Sequence, residues 1–446
     1  MILFLLTFIT FVFIIINLYL TKYDYMHPSV VFCSTFFICE IMCIIFKNTY
    51  AITLHYQTLL VLCTGFLIFT VITYLFKPNY QDNIQTKSQL QYIEIPKILI
   101  VLLIVLQILT IISFILYLKD IYYAYIGDTS ASLSQLIRNY NDLTKFHQDV
   151  FRNLNIPRPF IFKIGYPIMW TFGFLVIYVM VNNFVVNKKI EILHSISCIL
   201  FFIFTILTGS RFYLFKAIVF ICVLFYVLSY KKGNIKLGSL KLLLKFIFVF
   251  LLVVILMFTT LFIIGRADTC HNIFNYLFVY FGAEIVNLNK FLITNNVSFF
   301  SGFSDFFGQQ TFFELYKYVG KCFNIQEFLT YPTIEIFTES NNLSTGNEYT
   351  TYYHFIYDFG YIGIILIVII SAYFVITYNK CIKETANITP FDYKLFILSY
   401  LFSDLVFLFF ANLFYAFTLN PLFFKFITIL IIFNFINSRF KLVYYK

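Results

Sequence analysis

The chain has 446 residues, of which 61% are hydrophobic and 12% are charged, and its mean hydropathy is +0.86. This composition belongs to a protein dissolved in lipid and excludes an ordinary water-soluble domain. The net charge of +10 does not indicate nucleic-acid binding, because the basic residues are scattered between hydrophobic stretches and form no basic domain.

Stretches of about 20 apolar residues, the length that crosses roughly 30 Å of hydrocarbon as a helix, recur along the chain. The first has no basic segment before it and no small-residue cleavage site after it, so it predicts a span and not a signal peptide. The fold class predicted is an all-α polytopic membrane protein, a single integral membrane domain over residues 1–446 with about eleven transmembrane helices. The predicted spans are 2–21, 29–46, 58–76, 98–118, 164–186, 190–208, 212–230, 242–264, 356–378, 392–412 and 422–437.

Lysines predict the orientation of these helices. If the helices alternate in direction, the lysines between and after them fall mainly on one side, which the positive-inside rule makes cytoplasmic. The opposite, outer side then carries a first loop at 119–163, the short turn at Gly209, and a large loop at 265–355. The lysines in question are Lys188, Lys189, Lys231, Lys232, Lys236, Lys241, Lys245, Lys380, Lys383 and Lys441.

The arginines do not follow the lysines. Five lie on the predicted outer side and only Arg439 lies inside. Long loops cross the membrane regardless of charge, which accounts equally well for the arginines of the first loop. The same explanation does not suit Arg211, which lies in a turn of only a few residues, or Arg266, which directly follows a helix. Because a guanidinium binds phosphate or carboxylate through a rigid two-pronged fork, these two residues predict an outward-facing anion site. The outer arginines are Arg138, Arg152, Arg158, Arg211 and Arg266.

Polar, aromatic and ionisable residues are concentrated in the segment 346–363, where the large loop enters the ninth predicted helix. We call this segment the 346–363 junction. Capping residues and interfacial aromatics explain some polar groups at such a place. This junction contains more than a cap requires, namely Asn347, Glu348, Thr350, Thr351, His354 and Asp358.

The order of residues in the junction resembles the segment that follows the large outer loop in Wzy-type O-antigen polymerases, also called oligosaccharide repeat unit polymerases. In that family a Gly-Asn-x-Tyr-Thr run precedes an Asp-Phe-Gly-x-x-Gly helix start. Two further stretches, 208–211 and 280–291, are similar to the same family. The matching positions of the junction are Gly346, Asn347, Tyr349, Thr350, Asp358, Phe359, Gly360 and Gly363.

The resemblance implies an enzyme of the bacterial cytoplasmic membrane with a GT-C-like polymerase or ligase architecture and an outward-facing active site. Its expected activity is the polymerisation of undecaprenyl-diphosphate-linked oligosaccharide units into O-antigen, capsule or exopolysaccharide. The expected partners are the lipid-linked oligosaccharide, membrane lipid, a chain-length regulator and a flippase, with no nucleic acid. No cofactor is expected, and because the sequence contains no metal-ligand spacing, the glycosyltransferase is predicted to be metal-independent.

The candidate catalytic residues follow from this chemistry. Arg211 and Arg266 are predicted to stabilise the charge that develops on the leaving diphosphate. His354 and Asp358, four residues apart on one helical face, are candidates for the base that accepts the proton of the acceptor hydroxyl. Asp358 is equally consistent with a helix cap and His354 with an interfacial side chain. The predicted substrate-binding residues are Lys216, Glu284, Asn347, Glu348, Tyr349, Thr350 and Tyr353, although an aromatic belt also explains the tyrosines.

Two other functions remain open at this point. An O-antigen ligase shares the large outer loop, and a flippase or transporter of lipid-linked oligosaccharides would also use intramembrane charges. A transporter is expected to show internal repeats or paired broken helices, which the sequence lacks.

Two structural predictions concern the junction glycines and the cysteines of the large loop. Gly360 and Gly363 are expected to allow close approach of another helix or of substrate, making the 346–363 junction a rigid platform. Cys270 and Cys322, in the large loop, are candidates for a disulfide, with two unrelated thiols as the alternative.

Overall fold

The computed structural model describes residues 1–77, 90–128, 130–263, 273–330, 337–383 and 391–444. Within these ranges the chain is mainly helical, with one two-stranded β-hairpin. Helices suit lipid because a helix satisfies its own backbone hydrogen bonds. Residues such as Phe8, Ile98 and Leu102 are more than half exposed and form the apolar outer surface of the bundle.

The N-terminal half contains ten helices in the described residues: α1 Ile2–Leu20, α2 Pro28–Ile45, α3 Tyr56–Leu75, α4 Lys97–Ile126, α5 Leu133–Phe146, α6 Gln148–Asn153, α7 Phe160–Asn187, α8 Ile192–Leu207, α9 Arg211–Lys231 and α10 Leu240–Ile263. The C-terminal half continues with α11 Ile273–Phe281, α12 Ala283–Thr294, α13 Phe313–Phe323, α14 Gln326–Thr330, strands β1 Thr338–Ser340 and β2 Leu343–Gly346, α15 Thr351–Phe359, a 3₁₀ helix Gly360–Ile365, α16 Leu366–Lys383, α17 Tyr393–Val406, α18 Leu413–Thr418 and α19 Pro421–Tyr444.

Seven helices in the described residues are long and apolar enough to cross a membrane, or eight if one bent pair counts as a span. This confirms an all-α polytopic membrane protein; the count of eleven stays a prediction. The first eight predicted spans each coincide with a helix, and the main difference is α4, which continues to Ile126 where a loop from residue 119 was predicted.

The turns fall at two ends of the bundle. At one end, hereafter the lysine end, the amide of Gly238 donates to the carbonyl of Tyr23, and Lys232 donates to the carbonyl of Val185. At the other, hereafter the loop end, Asn141 donates to the carbonyl of Gly209, which lies 68 residues away in the sequence. The predicted first loop, which contains α5 and α6, therefore packs on the Gly209 turn.

The large predicted loop also gathers at the loop end. Ser340, in the β-hairpin, donates to the carbonyl of Tyr50, and Asn289, in α12, accepts from the amide of His55. The turn between α2 and α3 thus lies at the same end as the hairpin.

The start of the large predicted loop is helical and buried. α11 and α12 meet at a bend of 55° beside Gly282, whose carbonyl accepts a hydrogen bond from the Cys43 thiol of α2. Tyr276, on α11, reaches the first turn of α9, and Asn289, on α12, binds the α2–α3 turn, so both arms of the pair contact the loop end. The pair therefore forms a re-entrant segment that enters and leaves the bundle at this end.

Two of the last three predicted helices are interrupted. The predicted helix 356–378 begins inside α15 and is broken by the 3₁₀ helix at Gly360–Ile365. The predicted helix 392–412 ends at Val406, and the segment 407–412 is a turn before α18. Both interruptions lie at the loop end.

Candidate functional site

Arg211 is the first residue of α9 and its side chain points across the loop end to α11. The guanidinium donates one hydrogen bond to the Tyr280 hydroxyl, at 2.9 Å, and another to the Tyr276 hydroxyl. It also lies over both rings, 5.1 Å from the centroid of Tyr280 and 5.6 Å from that of Tyr276. Two neutral hydroxyls and two aromatic faces thus fix the guanidinium without neutralising its charge.

Two further observations concern the charge of Arg211. A cation in the first turn of a helix opposes the helix dipole, which costs about 0.3–1 kcal/mol. In the part of the chain that the structure describes, no carboxylate lies within ion-pair distance of this guanidinium. A half-buried, fixed cation of this kind is suited to an anionic ligand.

Arg266, the predicted partner of Arg211, lies outside the described residues, as does Cys270. Cys322 is exposed near the end of α13. The anion site formed by Arg211 with Arg266 and the disulfide between Cys270 and Cys322 therefore stay predictions.

Lys216 lies one turn further along α9, at zero exposure, and forms an ion pair with Asp404 of α17 at 3.0 Å. The sequence predicts that Lys216 binds substrate. The structure gives Lys216 a protein partner inside the bundle, and the paired ammonium and carboxylate carry no net charge. A role of Lys216 in substrate binding stays a prediction.

Glu284 was expected in a solvated loop, but α12 carries it into the bundle, where its side chain has zero exposure. Neither carboxyl oxygen has a hydrogen-bond partner. Burial of a carboxyl group without a hydrogen-bond partner is costly, so Glu284 is a strained feature of α12.

Asp358 ties the 346–363 junction to the large loop. Its two carboxylate oxygens accept the backbone amides of Gln310, at 3.0 Å, and Thr311, at 2.6 Å. The side chain is buried, and the backbone carbonyl of His354 accepts from the Thr311 hydroxyl in the same contact. The sequence leaves open a catalytic base or a helix N-terminal cap for Asp358. Asp358 lies near the end of α15, so it does not cap the N-terminus of that helix, and its contacts instead make it a structural clamp on the large loop.

The glycines of the junction allow close backbone approach, although the sequence predicts the approach of another helix or of substrate. Gly360 has a φ of +69°, and a Cβ there would lie 2.4 Å from the carbonyl oxygen of Ser298. A Cβ at Gly363 would lie 2.1 Å from the carbonyl oxygen of Phe355. The approaching segments are the large loop and the preceding helix of the junction itself.

The remaining predicted substrate-binding residues cluster where α12 meets the junction. The Asn287 amide donates to the backbone carbonyls of Glu348 and Thr345, at 2.8 and 3.1 Å. Tyr349 and Tyr353 are buried and stacked on each other with centroids 4.3 Å apart. These tyrosines therefore hold the junction together, and the faces they share with each other are closed to a sugar.

Asn347 and Glu348 are half-buried beside this cluster. The hydroxyls of Thr350 and Thr351 are buried without a hydrogen-bond partner, and the amide of Thr351 donates to the carbonyl of Leu408.

The segment 407–412 was missed by sequence reasoning, and it connects the two halves of the site. The ring of Phe410 stacks on Tyr280, which holds Arg211, with centroids 6.1 Å apart. The Leu408 carbonyl binds the junction, and the Asn412 amide donates to the Thr311 carbonyl of the large loop, at 3.0 Å. A single Asn in a Phe-rich stretch was the only signal of this interruption in the sequence.

The chain matches no protein-family model, no curated protein and no solved structure. The resemblance to the polymerase family therefore rests on the quoted motifs alone.

In the described ranges no group of three or more His, Cys, Asp or Glu side chains is arranged to hold a metal ion. Metal independence stays a prediction. What the site offers chemically is a fixed guanidinium, a clamped polar junction and the buried His354 beside it.

Proposed function

We propose that this chain is a membrane-embedded glycosyltransferase that polymerises polyprenyl-diphosphate-linked oligosaccharide units outside the bacterial cytoplasmic membrane. The observation that carries the proposal is the Arg211 guanidinium, held by Tyr276 and Tyr280 at the loop end with no carboxylate partner in the described residues. A diphosphate at headgroup depth is an anion that matches its position and its fork-like geometry.

The orientation is part of the proposal. Lys188, Lys231 and Lys232 lie at the lysine end, which the positive-inside rule makes cytoplasmic. The loop end, with Arg211 and the 346–363 junction, then faces outward, where lipid-linked glycans are polymerised in the family that the motifs resemble.

The proposed reaction transfers a growing glycan from its carrier to an acceptor unit. The acceptor hydroxyl oxygen forms a bond to the anomeric carbon, and the bond between that carbon and the diphosphate oxygen breaks. The electron pair leaves with the polyprenyl diphosphate, where Arg211 stabilises the added negative charge. The hydroxyl proton passes to a base, for which His354 is the better candidate because Asp358 is occupied by two backbone amides.

The test compares three arginine variants in a strain that lacks this gene, expressed at matched levels. Arg211→Lys and Arg266→Lys are expected to give short or absent ladders of glycan chain length, because an ammonium cannot reproduce two parallel hydrogen bonds. Arg138→Lys is the control, since the Arg138 side chain is 42% exposed and forms a surface ion pair with Asp142 at 3.9 Å. Full-length ladders from Arg211→Lys would contradict the proposed role.

The deletion phenotype separates the polymerase from the ligase. If the missing enzyme is the polymerase, the cell-surface glycan carries only a single repeat unit. If it is the ligase, no repeat units are attached and the polymer stays on its lipid carrier. The second outcome would replace the polymerase with the ligase as the proposed function.

A further inference from the structure

A group of exposed phenylalanines lies in the large predicted loop, between α12 and α13, and the catalytic proposal does not use it. Phe300 is 75% exposed, Phe307 73% and Phe299 59%. The stretch 298–307, which we call the phenylalanine segment, contains five phenylalanines and a single ionisable side chain, that of Asp305. So much exposed apolar surface in one short stretch indicates contact with another molecule or with a membrane.

Backbone hydrogen bonds fasten the phenylalanine segment to the 3₁₀ helix that precedes α16. The amide of Tyr361 donates to the carbonyl of Ser298, at 3.2 Å, and the amide of Ile362 donates to the carbonyl of Phe299, at 3.0 Å. The close approach at Gly360, described above, belongs to the same contact. The depth of the segment in the membrane is therefore the depth of this 3₁₀ helix.

The rest of the segment stays at a similar level. The amide of Phe303 donates to the carbonyl of Tyr357, at 2.6 Å, and the ring of Phe307 lies 5.0 Å from that of Phe359 between centroids. Both of these partners are in the last turn of α15. The segment therefore lies between the start of a membrane helix and the clamp on Asp358.

The length of α16 gives the depth of the 3₁₀ helix. α16 runs from Leu366 toward the lysine end, where Lys380 is exposed in its last turn. At about 1.5 Å per residue in α16 and about 2.0 Å per residue in the 3₁₀ helix, Ile362 lies about 29 Å from Lys380 along the axis. The hydrocarbon layer of a membrane is about 30 Å thick. Ile362, and Phe299 with it, thus lies at the outer boundary of that layer.

The exposed side chains of the same membrane helix continue the surface of the segment. Ile362, Ile365 and Ile369 follow one another at intervals of three and four residues and are between 41% and 61% exposed. They belong to a helix that is long and apolar enough to cross a membrane, so this face contacts acyl chains. The 3₁₀ helix also packs against α3, whose first residue, Tyr56, is an exposed aromatic of the kind found at membrane interfaces.

We propose that Phe299, Phe300 and Phe307 insert among the lipids of the outer leaflet and hold the large loop on the membrane surface. Aromatic side chains are favoured at this depth. Asp305 is exposed and its carboxylate needs water, which limits the insertion to the boundary between headgroups and acyl chains. Because the segment contains no basic residue, the contact is with acyl chains and does not need anionic headgroups. This inference does not rest on the proposed glycosyltransferase function.

Tryptophan fluorescence tests the proposal in the full chain, reconstituted in phosphatidylcholine vesicles. Phe300→Trp and Phe307→Trp each add a reporter to the segment, and Glu339→Trp adds a control reporter at an exposed position of the β-hairpin. The parent protein supplies the background, because Trp170 is its only tryptophan. The quencher is phosphatidylcholine brominated near the headgroup end of its acyl chain, and iodide is the quencher in water.

We expect the brominated lipid to quench the added emission of Phe300→Trp and Phe307→Trp several-fold more than that of Glu339→Trp, and iodide to show the opposite order. Lipid brominated at the chain terminus should quench the two reporters less, because the segment stops at the boundary. Added phosphatidylglycerol should leave the quenching unchanged, since no basic residue of the segment attracts an anionic headgroup.

Equal lipid quenching at the three positions would overturn the inference. Strong iodide quenching of Phe300→Trp would place the segment in water. Protection of that reporter from both quenchers would show that a second copy of the chain or another protein covers it, and either result contradicts lipid contact. Phe299→Ser with Phe300→Ser, made in Phe307→Trp, should lower lipid quenching of the remaining reporter several-fold. Unchanged quenching there would show that these side chains do not hold the loop on the membrane.

Discussion

The ammonium of Lys216 lies 3.0 Å from the carboxylate of Asp404, and this contact joins α9 to α17 inside the bundle. Both side chains have zero exposure. Taking two charges into lipid surroundings is costly, and their mutual attraction offsets that cost only while both are present. The pair therefore fixes how the helix that carries Arg211 sits against the helix that leads into the segment 407–412.

Asp404→Leu is expected to lower the free energy of unfolding by about 3–5 kcal/mol, because it leaves the Lys216 ammonium buried and unpaired. The double variant Lys216→Met with Asp404→Leu is expected to regain most of this stability. Thermal unfolding of the purified proteins in one detergent measures both. A double variant no more stable than Asp404→Leu would show that the lost charge pair is not the cause.

Removal of the hydroxyls that hold Arg211 is expected to reduce activity without abolishing it. Tyr276→Phe and Tyr280→Phe each keep an aromatic face for the guanidinium and lose one hydrogen bond, and each should slow polymer formation by about tenfold. Tyr25→Phe is the matched control, since the Tyr25 hydroxyl contacts the Gly238 carbonyl at the lysine end. Equal rates in all three variants would mean that the position of the guanidinium is not set by these hydroxyls.

Gly360→Leu is expected to abolish polymer formation while the protein still inserts into the membrane. A side chain there meets the Ser298 carbonyl and forces a left-handed backbone on a bulky residue, at a cost of about 1–3 kcal/mol for the backbone alone. Gly127→Leu separates the two causes, because Gly127 also has a positive φ, +80°, but has no atom within 4 Å of a Cβ. Glycan ladders and the amount of protein in the membrane are measured for both. Equally short ladders from the two variants would leave backbone strain, and not the contact with Ser298, as the explanation.

Asp358→Asn is expected to loosen the large loop, because an amide accepts at one oxygen only and one of the two backbone amides loses its acceptor. The loss is about 1–3 kcal/mol, and hydrogen exchange at Gln310 and Thr311 should accelerate accordingly. Asp142→Asn, at an exposed ion pair, is the control. Unchanged exchange together with lost activity would return Asp358 to the role of catalytic base.

Glu314, in the first turn of α13, accepts a hydrogen bond from Asn420 and predicts a pH dependence of stability. Burial raises the pKa of Glu314 above its ordinary value of 4.5, and Lys317 and Lys321 oppose this shift. The folded state therefore holds the proton more tightly than the unfolded state. The contribution to stability is complete below pH 4.5 and is lost as the pH rises through the raised pKa. Melting temperatures measured from pH 4 to 8 should fall less steeply for Glu314→Gln, and parallel curves would contradict this assignment.

The sequence predicted the parts of the fold that hydrophobic length determines. The first eight predicted spans each coincide with a helix, namely α1–α4 and α7–α10, because long apolar stretches form helices in lipid. The end of α17 at Val406 was not predicted, because the residues that follow are themselves Phe-rich and only their contacts with Tyr280 and Thr311 make them a turn. The re-entrant pair was taken for a loop because it is broken at Gly282 into two helices, each too short to register as a span.

Within the site, the sequence identified Arg211 and the 346–363 junction from topology and motif order. The pairing of Lys216 with Asp404 could not be predicted, because the two residues are 188 positions apart and only tertiary packing brings them together.

The re-entrant pair α11 and α12 affects whether the number of membrane crossings between α10 and α15 is even or odd. α10 begins beside the lysine end, where Gly238 contacts Tyr23, and runs toward the loop end, while α15 begins at the loop end, where Thr351 binds Leu408. An even number of crossings must therefore separate Ile263 from Thr351. A pair that dips in and returns contributes none, whereas a single full span would reverse the direction of every later helix. Reporter tags inserted at residues 296 and 342 should consequently be accessible from the same side of the membrane as one inserted at residue 131.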